Sequence, residues 1–288
     1  MLLRVFFLTA MSVAFCGLTV VLGSAPLTVL RNTEGRLAFA LGTITAFSAL
    51  MATQSYPLAI PFALSALLVF VFIEGLEHSA TLLKSGMMAL SLGSGVSLIG
   101  LSLYAKALGV TVATLMREQL EMMIKAIPQL PEGVTVNVEA LVYQAPSAIV
   151  ILMALSLWFG ALFGKRFSPD GDGTVLGRTR IRDFDLPDIF VWALILALPG
   201  TFLSDEGTIS HIISVNIFNV LAFCYFLKGL AIVATYFSVG KVGAIWQGLM
   251  YVVLISQLFL LVAVVGLLDV WMNFRVRLTK KSVEPIKR

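Results

Sequence analysis

The sequence predicts an all-α fold, a polytopic integral membrane helix bundle of about eight transmembrane helices plus one amphipathic surface helix. Hydrophobic residues make up 59% of the chain and charged residues only 12%, too few to cover a water-soluble surface. The chain is also divided into apolar runs, most of which approach the roughly 20 residues that a helical crossing needs. Because backbone amides cannot stay unpaired in lipid, each run is expected to be helical.

The predicted crossings follow from the apolar runs and from the turn or charged residues that separate them. The runs are 5–30, 37–54, 57–74, 80–104, 141–164, 187–204, 211–237 and 243–271. All of them are expected to form a single transmembrane domain over residues 1–288. The run 187–204 is compatible with a full crossing and with a re-entrant segment, and both alternatives remain open at this point.

Residues 105–140 form the one long link between predicted crossings, and they carry an amphipathic pattern. Apolar residues recur at helical spacing. On the other face, Arg117, Glu121 and Lys125 follow one another at intervals of four residues. This pattern predicts an amphipathic helix that lies on the membrane surface or on the other helices. A helix that binds a partner protein is the alternative.

Charge and motifs exclude several classes of function. The net charge of +4 is too small to suggest nucleic-acid binding, and the two cysteines lie in apolar runs without a disulfide framework. Glu74, Glu77 and His78 are better explained as a polar helix end than as a metal site. No phosphate-binding glycine loop, metalloprotease helix or nucleophile elbow is present. We therefore expect neither an enzyme nor a cofactor or bound metal.

The first helix carries small residues at helical spacing, namely Ala10, Ala14 and Gly17. Helices in lipid associate through close backbone approach, which small residues permit. The pattern fits internal packing, and it also fits a face on which another membrane protein subunit docks.

Polar residues within the last two runs are the candidate ligand site, because polar groups in the membrane are costly and an ionised one at the bilayer centre costs about 2.5–3.5 kcal/mol. They are Asn216, Asn219, Lys228, Gln247 and Gln257. A small-molecule pocket between the last two helices would explain this concentration. Hydrogen bonds between helices, together with a lysine that extends to the membrane surface, are the alternative explanation.

The end of the last run predicts a membrane-surface anchor formed by Asp269, Trp271, Phe274 and Arg275. Aromatic side chains favour the headgroup level, and basic residues favour anionic lipid. Six basic residues follow the last crossing directly: Arg275, Arg277, Lys280, Lys281, Lys287 and Arg288. This basic tail favours a cytoplasmic C-terminus.

The final third of the chain resembles a known family. The motifs that carry the resemblance are Pro187, Trp192, residues 216–219, residues 228–231 and the Asp-x-Trp-x-x-Phe-Arg ending at 269–275. They resemble the YybS-like family, a bacterial membrane family of unknown function. That family is distantly similar to the substrate-binding subunits of energy-coupling-factor transporters, so the resemblance implies a multi-pass protein of the bacterial inner membrane. In those transporters small alanines of the first helix dock a membrane partner, a role that Ala10 and Ala14 would match.

Together these patterns predict a non-enzymatic membrane subunit that binds a small molecule and hands it to a transport partner. The alternative is a ligand-free scaffold or assembly factor that recruits other membrane proteins. The expected partners are the lipid bilayer, another membrane protein subunit and a small-molecule ligand, with no nucleic acid.

Overall fold

The computed structural model describes residues 2–78, 81–126, 136–167, 175–178, 184–275 and 277–278. Over these ranges the regular secondary structure is entirely helical, which confirms the all-α class. The helices are α1 Leu2–Leu18, α2 Ser24–Ala52, α3 Tyr56–Glu77, α4 Leu82–Ala107, α5 Val112–Lys125, α6 Val138–Arg166, α7 Val175–Arg178, α8 Ile189–Phe202, α9 Ile209–Val239, α10 Ala244–Ser256 and α11 Phe259–Met272.

By length and composition, five of the described helices could cross a membrane, namely α3, α4, α6, α9 and, when it is counted through its break at Gly35, α2. A sixth span results if Ile245–Ser256 and Phe259–Met272, which are bent by 97° at their junction, are counted as one crossing. Helices α1 and α8 are apolar but shorter. These helices support a multi-pass membrane protein, while the count of about eight crossings stays a prediction.

The chain forms two compact units, an N-terminal unit over Met1–Thr179 and a C-terminal unit over Arg180–Arg288. Each unit packs its own helices around buried side chains. The single transmembrane domain expected over residues 1–288 therefore stays a prediction.

The predicted crossing 5–30 is divided in the structure between α1 and the start of α2. Helix α1 ends at Leu18, and residues 19–23 form a turn before α2 begins at Ser24. The Ser12 hydroxyl donates to the Gly23 carbonyl (2.6 Å), and a Cβ atom at Gly23 would overlap the Cys16 thiol. The apolar run concealed this turn, because a turn whose backbone groups are paired within the protein needs few polar residues.

Helix α2 is broken at Gly35, where φ is 86° and ψ is −176°. This backbone conformation is accessible essentially only to glycine. Leu30 and Gly42 lie side by side across the break, although twelve residues of straight helix would separate them by about 18 Å. The break therefore folds the second part of α2 back along the first, within the polar segment 31–36 that separates two predicted crossings.

We expect Gly35→Ala to destabilise the protein by about 1–3 kcal/mol, the usual cost of holding a non-glycine residue in this region. No atom lies within 4 Å of a Cβ added at Gly35, so the cost comes from backbone strain alone. Unfolding in a graded series of mixed detergents measures it. Gly86→Ala in α4 also meets open space, but at an ordinary helical position, and should leave stability unchanged or slightly higher.

The first part of α2 is the centre of the N-terminal unit. Residues 24–31 are all buried, so this segment is surrounded by protein on every side. Gly160 and Gly164 of α6 allow the close approach, since a Cβ at either position would lie 2.7 Å from an atom of Thr28. The Ser24 hydroxyl also donates to the Ser156 carbonyl of α6. Small residues and buried hydroxyls are the usual means of helix association in membranes.

The predicted amphipathic helix corresponds to α5, Val112–Lys125. Thr111 caps its N-terminus by accepting a hydrogen bond from the Thr114 amide (3.1 Å). Leu115 is its one buried residue, and Arg117 forms an ion pair with Glu139 at the start of α6. Residues 127–135 of the same predicted link lie outside the described residues.

The predicted crossing 243–271 is two helices in the structure, α10 and α11, with a bend of 97° near Gln257 and Leu258. Leu258 takes a non-helical conformation (φ −116°, ψ 24°), which interrupts the helix. Neither proline nor glycine occurs between residues 249 and 265, so the local sequence carries no signal of the break. The other two crossings predicted in this unit, 187–204 and 211–237, correspond to α8 and α9.

Candidate functional site

A close helix crossing in the C-terminal unit joins α9 to α11 through two glycines. A Cβ atom added at Gly229 would overlap the Val262 carbonyl oxygen, and one at Gly266 would overlap the Tyr225 carbonyl oxygen. Only hydrogen atoms fit between the two backbones at this point. The crossing brings the residues that flank these glycines on the two helices within reach of each other.

Lys228 of α9 and Asp269 of α11 face each other beside this crossing. The distance from Lys228 Nζ to Asp269 Oδ2 is 3.7 Å, and only 4% and 5% of the two side chains are exposed. Desolvation of two charges is costly, so a pair of this kind persists only where further polar partners compensate.

Asp185 and Arg275 supply those partners. Asp185 Oδ1 lies 2.8 Å from Lys228 Nζ and 2.9 Å from Arg275 Nη2. Arg275 Nη2 also lies 3.3 Å from Asp269 Oδ2. We call these four residues the Lys228 cluster. With two acids and two bases its formal charge is zero.

The end of α11 explains how Arg275 reaches the cluster. Asn273 has a left-handed conformation (φ 48°) and its amide donates to the Asp269 carbonyl, which ends the helix and reverses the chain. Arg275 then donates from Nη1 to the Phe184 carbonyl (2.9 Å). The Asp-x-Trp-x-x-Phe-Arg motif thus places its first and last residues in one ion-pair cluster.

One carboxylate oxygen of Asp269 is unsatisfied. Oδ1 is buried and has no hydrogen-bond partner among the residues that the structure describes. A buried, unsatisfied carboxylate oxygen costs about 1–3 kcal/mol or more. Such a cost is typical of sites retained for function rather than for stability.

Asp185 has a pKa below the ordinary aspartate value. Partial burial acts to raise the pKa, but the hydrogen bond from Lys228 and the charges of Lys228 and Arg275 outweigh it. The ion pairs of Asp185 therefore stabilise the fold above the unfolded pKa of about 3.9. That contribution is lost as the pH falls through the lower pKa of the folded state.

A second ion-pair cluster lies in the N-terminal unit, beside the break in α2. Arg31 is 3% exposed and contacts Glu74 (3.1 Å) and Glu77 (3.0 Å) at the end of α3. Arg36, on the other side of Gly35, contacts the same two carboxylates at 2.8 and 2.6 Å. We call these four the Arg31 cluster. Glu74 and Glu77, predicted from the sequence only as part of a polar helix end, are thus paired with two arginines of α2.

Comparison with known proteins identifies the family. Residues 1–270 match the family described as "Predicted membrane protein (DUF2232)". The chain belongs to this family. No curated protein and no solved structure matches the DUF2232 chain. The family match and the apolar helices agree on a multi-pass membrane protein of unknown function.

In this DUF2232 protein the five predicted ligand residues are Lys228 and four polar residues that are not members of the Lys228 cluster. Asn216 and Asn219 precede Lys228 on α9 by twelve and nine residues, or about 18 and 14 Å along the axis. Asn216 donates to the Ile212 carbonyl (2.7 Å), and Gln247 to the Val242 carbonyl (2.7 Å). Gln257 is exposed at the end of α10. Of the five, the Lys228 cluster contains Lys228 alone.

The predicted docking residues Ala10, Ala14 and Gly17 are exposed on α1, which buries Thr9, Ser12 and Cys16 instead. They therefore lie on the face that the rest of the N-terminal unit does not cover. Gly17 also approaches Leu58 of α3, since a Cβ there would lie 3.3 Å from that side chain. The internal-packing alternative thus applies to Gly17 more than to the two alanines.

The predicted anchor residues separate into two groups in the DUF2232 structure. Trp271 is exposed and Phe274 is half-buried, positions that remain compatible with a headgroup contact. Asp269 and Arg275 instead belong to the Lys228 cluster. Sequence reasoning missed Asp185, for which the one available signal was an acidic residue just before an apolar run that begins with proline.

Proposed function

We propose that this DUF2232 protein is a small-molecule-binding subunit of a membrane transport system, and that the Lys228 cluster is the polar part of its binding site. The observation that carries the proposal is a set of ion pairs between closely packed apolar helices, with an unpaired oxygen on Asp269. Ionisable residues at such places are expensive, and they commonly mark substrate or ion pathways.

The resemblance to the YybS-like family and to substrate-binding subunits of energy-coupling-factor transporters supports the proposal at the level of analogy. On this view the protein lies in the bacterial inner membrane without enzymatic activity. The basic residues that follow α11 favour a cytoplasmic C-terminus. Among the five polar residues of the predicted pocket, Lys228 is the one that this proposal places at the ligand.

Mass spectrometry of the protein purified in mild detergent tests the proposal. We expect a metabolite to co-purify with the wild-type protein and to be lost from Lys228→Met, because the substitution removes the buried cation of the cluster. Lys84→Met, at an exposed position of α4, is the matched control and should retain it. An unchanged metabolite profile in a folded Lys228→Met protein would contradict the proposal.

A ligand-free scaffold is the second candidate, and the exposed position of Ala10 and Ala14 on α1 favours it. Under this alternative the combined change of Ala10 and Ala14 to leucine should release a co-purifying membrane protein, because bulk on this face prevents close helix approach. Ala148→Leu, also exposed but on α6, should leave the partner bound. Pull-down followed by protein mass spectrometry measures both variants, and a membrane protein that stays bound to the Ala10 and Ala14 variant would argue against scaffolding through this face.

A further inference from the structure

Three donors converge on one oxygen of Asp185, namely two cationic side chains from other parts of the C-terminal unit and the amide of the next residue. Oδ1 receives contacts from Lys228 Nζ (2.8 Å), Arg275 Nη2 (2.9 Å) and the Leu186 amide (2.9 Å). A cationic lysine, a planar arginine and a backbone N–H are the groups that proteins use to bind a carboxylate. The donors thus form a carboxylate-binding site that a side chain of the same chain already fills.

The two cationic donors are far more buried than the Asp185 carboxylate that they bind. Lys228 is 4% exposed in α9, next to the glycine crossing, and Arg275 is 18% exposed at the end of α11. The Asp185 side chain is 61% exposed and belongs to the non-helical segment before α8. The cations are therefore fixed, while the carboxylate that neutralises them is reached from outside the packed helices.

The charge balance requires an anion at this place. Without Asp185, the remaining members of the cluster are Lys228, Arg275 and Asp269, with a formal charge of +1. Asp269 Oδ2 is shared between the two cations at 3.7 and 3.3 Å, so it neutralises only one charge. The lowered pKa of Asp185 agrees with a strong preference of this position for negative charge.

We propose that Lys228, Arg275 and the Leu186 amide form a binding site for the carboxylate of a small molecule, which displaces Asp185 when it binds. This inference rests on the proposed function and names the ligand class at the same cluster. The ligand binds as a monoanion, because one negative charge restores neutrality. Exchange of one carboxylate for another keeps both buried cations paired throughout, which avoids the cost of an uncompensated charge.

Chemical rescue tests the site directly in the full-length protein purified in mild detergent. Asp185→Ala removes the internal carboxylate, and sodium acetate is the probe, with sodium chloride at equal ionic strength as reference. We expect acetate to raise the unfolding temperature of Asp185→Ala by a few degrees in a saturable manner, as ligand binding to the folded state requires. The wild-type protein should respond far less, because Asp185 competes for the same donors.

Two further variants keep the test decisive. Asp188→Ala removes a nearby exposed acid and should behave like the wild-type protein. Asp185→Asn removes the charge with little change in shape, so it replaces Asp185→Ala if the latter does not fold. An equal acetate effect in all proteins, or none in either Asp185 variant, would overturn the inference.

One additional measurement shows whether the carboxylate comes from a lipid or from a free small molecule. Reconstitution of Asp185→Ala into nanodiscs with and without phosphatidylserine distinguishes a lipid headgroup from a free small molecule. Stabilisation by the lipid in place of acetate would overturn the small-molecule site. Rescue by acetate needs neither the natural ligand nor a transport partner. The carboxylate site can therefore be confirmed when no metabolite co-purifies, and it can be refuted when a metabolite does co-purify.

Discussion

Replacement of Gly229 by alanine is expected to destabilise the C-terminal unit by about 3 kcal/mol, the upper part of the usual range for overpacking. The new methyl group would overlap the Val262 carbonyl oxygen, and a backbone atom in a packed helix cannot move aside as a flexible side chain can. Helices α9 and α11 must separate to admit it. Because Lys228 and Asp269 flank the crossing, separation also weakens their ion pair.

Resistance to unfolding in mixed detergents measures this effect, with Gly248→Ala of α10 as the matched control. A Cβ at Gly248 meets open space, so that variant should be neutral or slightly more stable. Gly266→Ala should behave like Gly229→Ala, and the double variant should cost less than the sum, because both methyl groups separate the same pair of helices. Equal stability of the Gly229 and Gly248 variants would show that α9 and α11 do not pack through their backbones.

Replacement of Arg31 by methionine should destabilise the N-terminal unit by about 3–5 kcal/mol, the usual cost of removing one partner from a buried ion pair. Arg31 is 3% exposed and reaches both Glu74 and Glu77, so its loss leaves the two carboxylates without their one buried cationic partner among the described residues. Methionine retains much of the apolar volume, which confines the effect to the lost charge and hydrogen bonds.

Arg36→Met provides the control within the same cluster. Arg36 contacts the same carboxylates but is more than half exposed, so water replaces its hydrogen bonds and the expected loss is far smaller than for Arg31→Met. Arg31→Lys should recover only part of the loss, because an ammonium group lacks the planar, two-pronged contact of a guanidinium. Similar losses in the Arg31 and Arg36 variants would contradict the unequal roles that burial assigns to them.

The character of the protein is largely predictable from its sequence. The apolar runs correctly predicted an all-helical protein with several helices of membrane-crossing length, because both features depend on local composition and length. The amphipathic pattern of 105–140 likewise located α5, since a helical period is a property of neighbouring residues. The polar segment 31–36 marked the reversal of the chain at Gly35, where a glycine follows an acidic residue.

The errors in the helix boundaries have a common physical origin. The turn at 19–23 and the bend near Gln257 both lie within runs that are apolar enough to be predicted as single crossings. At both places local hydrogen bonds pair the backbone, from the Leu22 amide to the Thr19 carbonyl and from the Gln257 amide to the Val253 carbonyl, so the chain can turn with few polar side chains. Hydropathy therefore joins segments that tertiary contacts separate.

By itself the sequence determined the class of the protein and drew attention to Lys228, Asp269 and Arg275 as separate residues. Only the tertiary structure decided that these three form one cluster with Asp185, and that Arg31 pairs with Glu74 and Glu77. The physical reason is that periodicity states which face of a helix a side chain occupies, but not which helix it faces. That choice depends on where glycines such as Gly229 and Gly266 let two backbones meet.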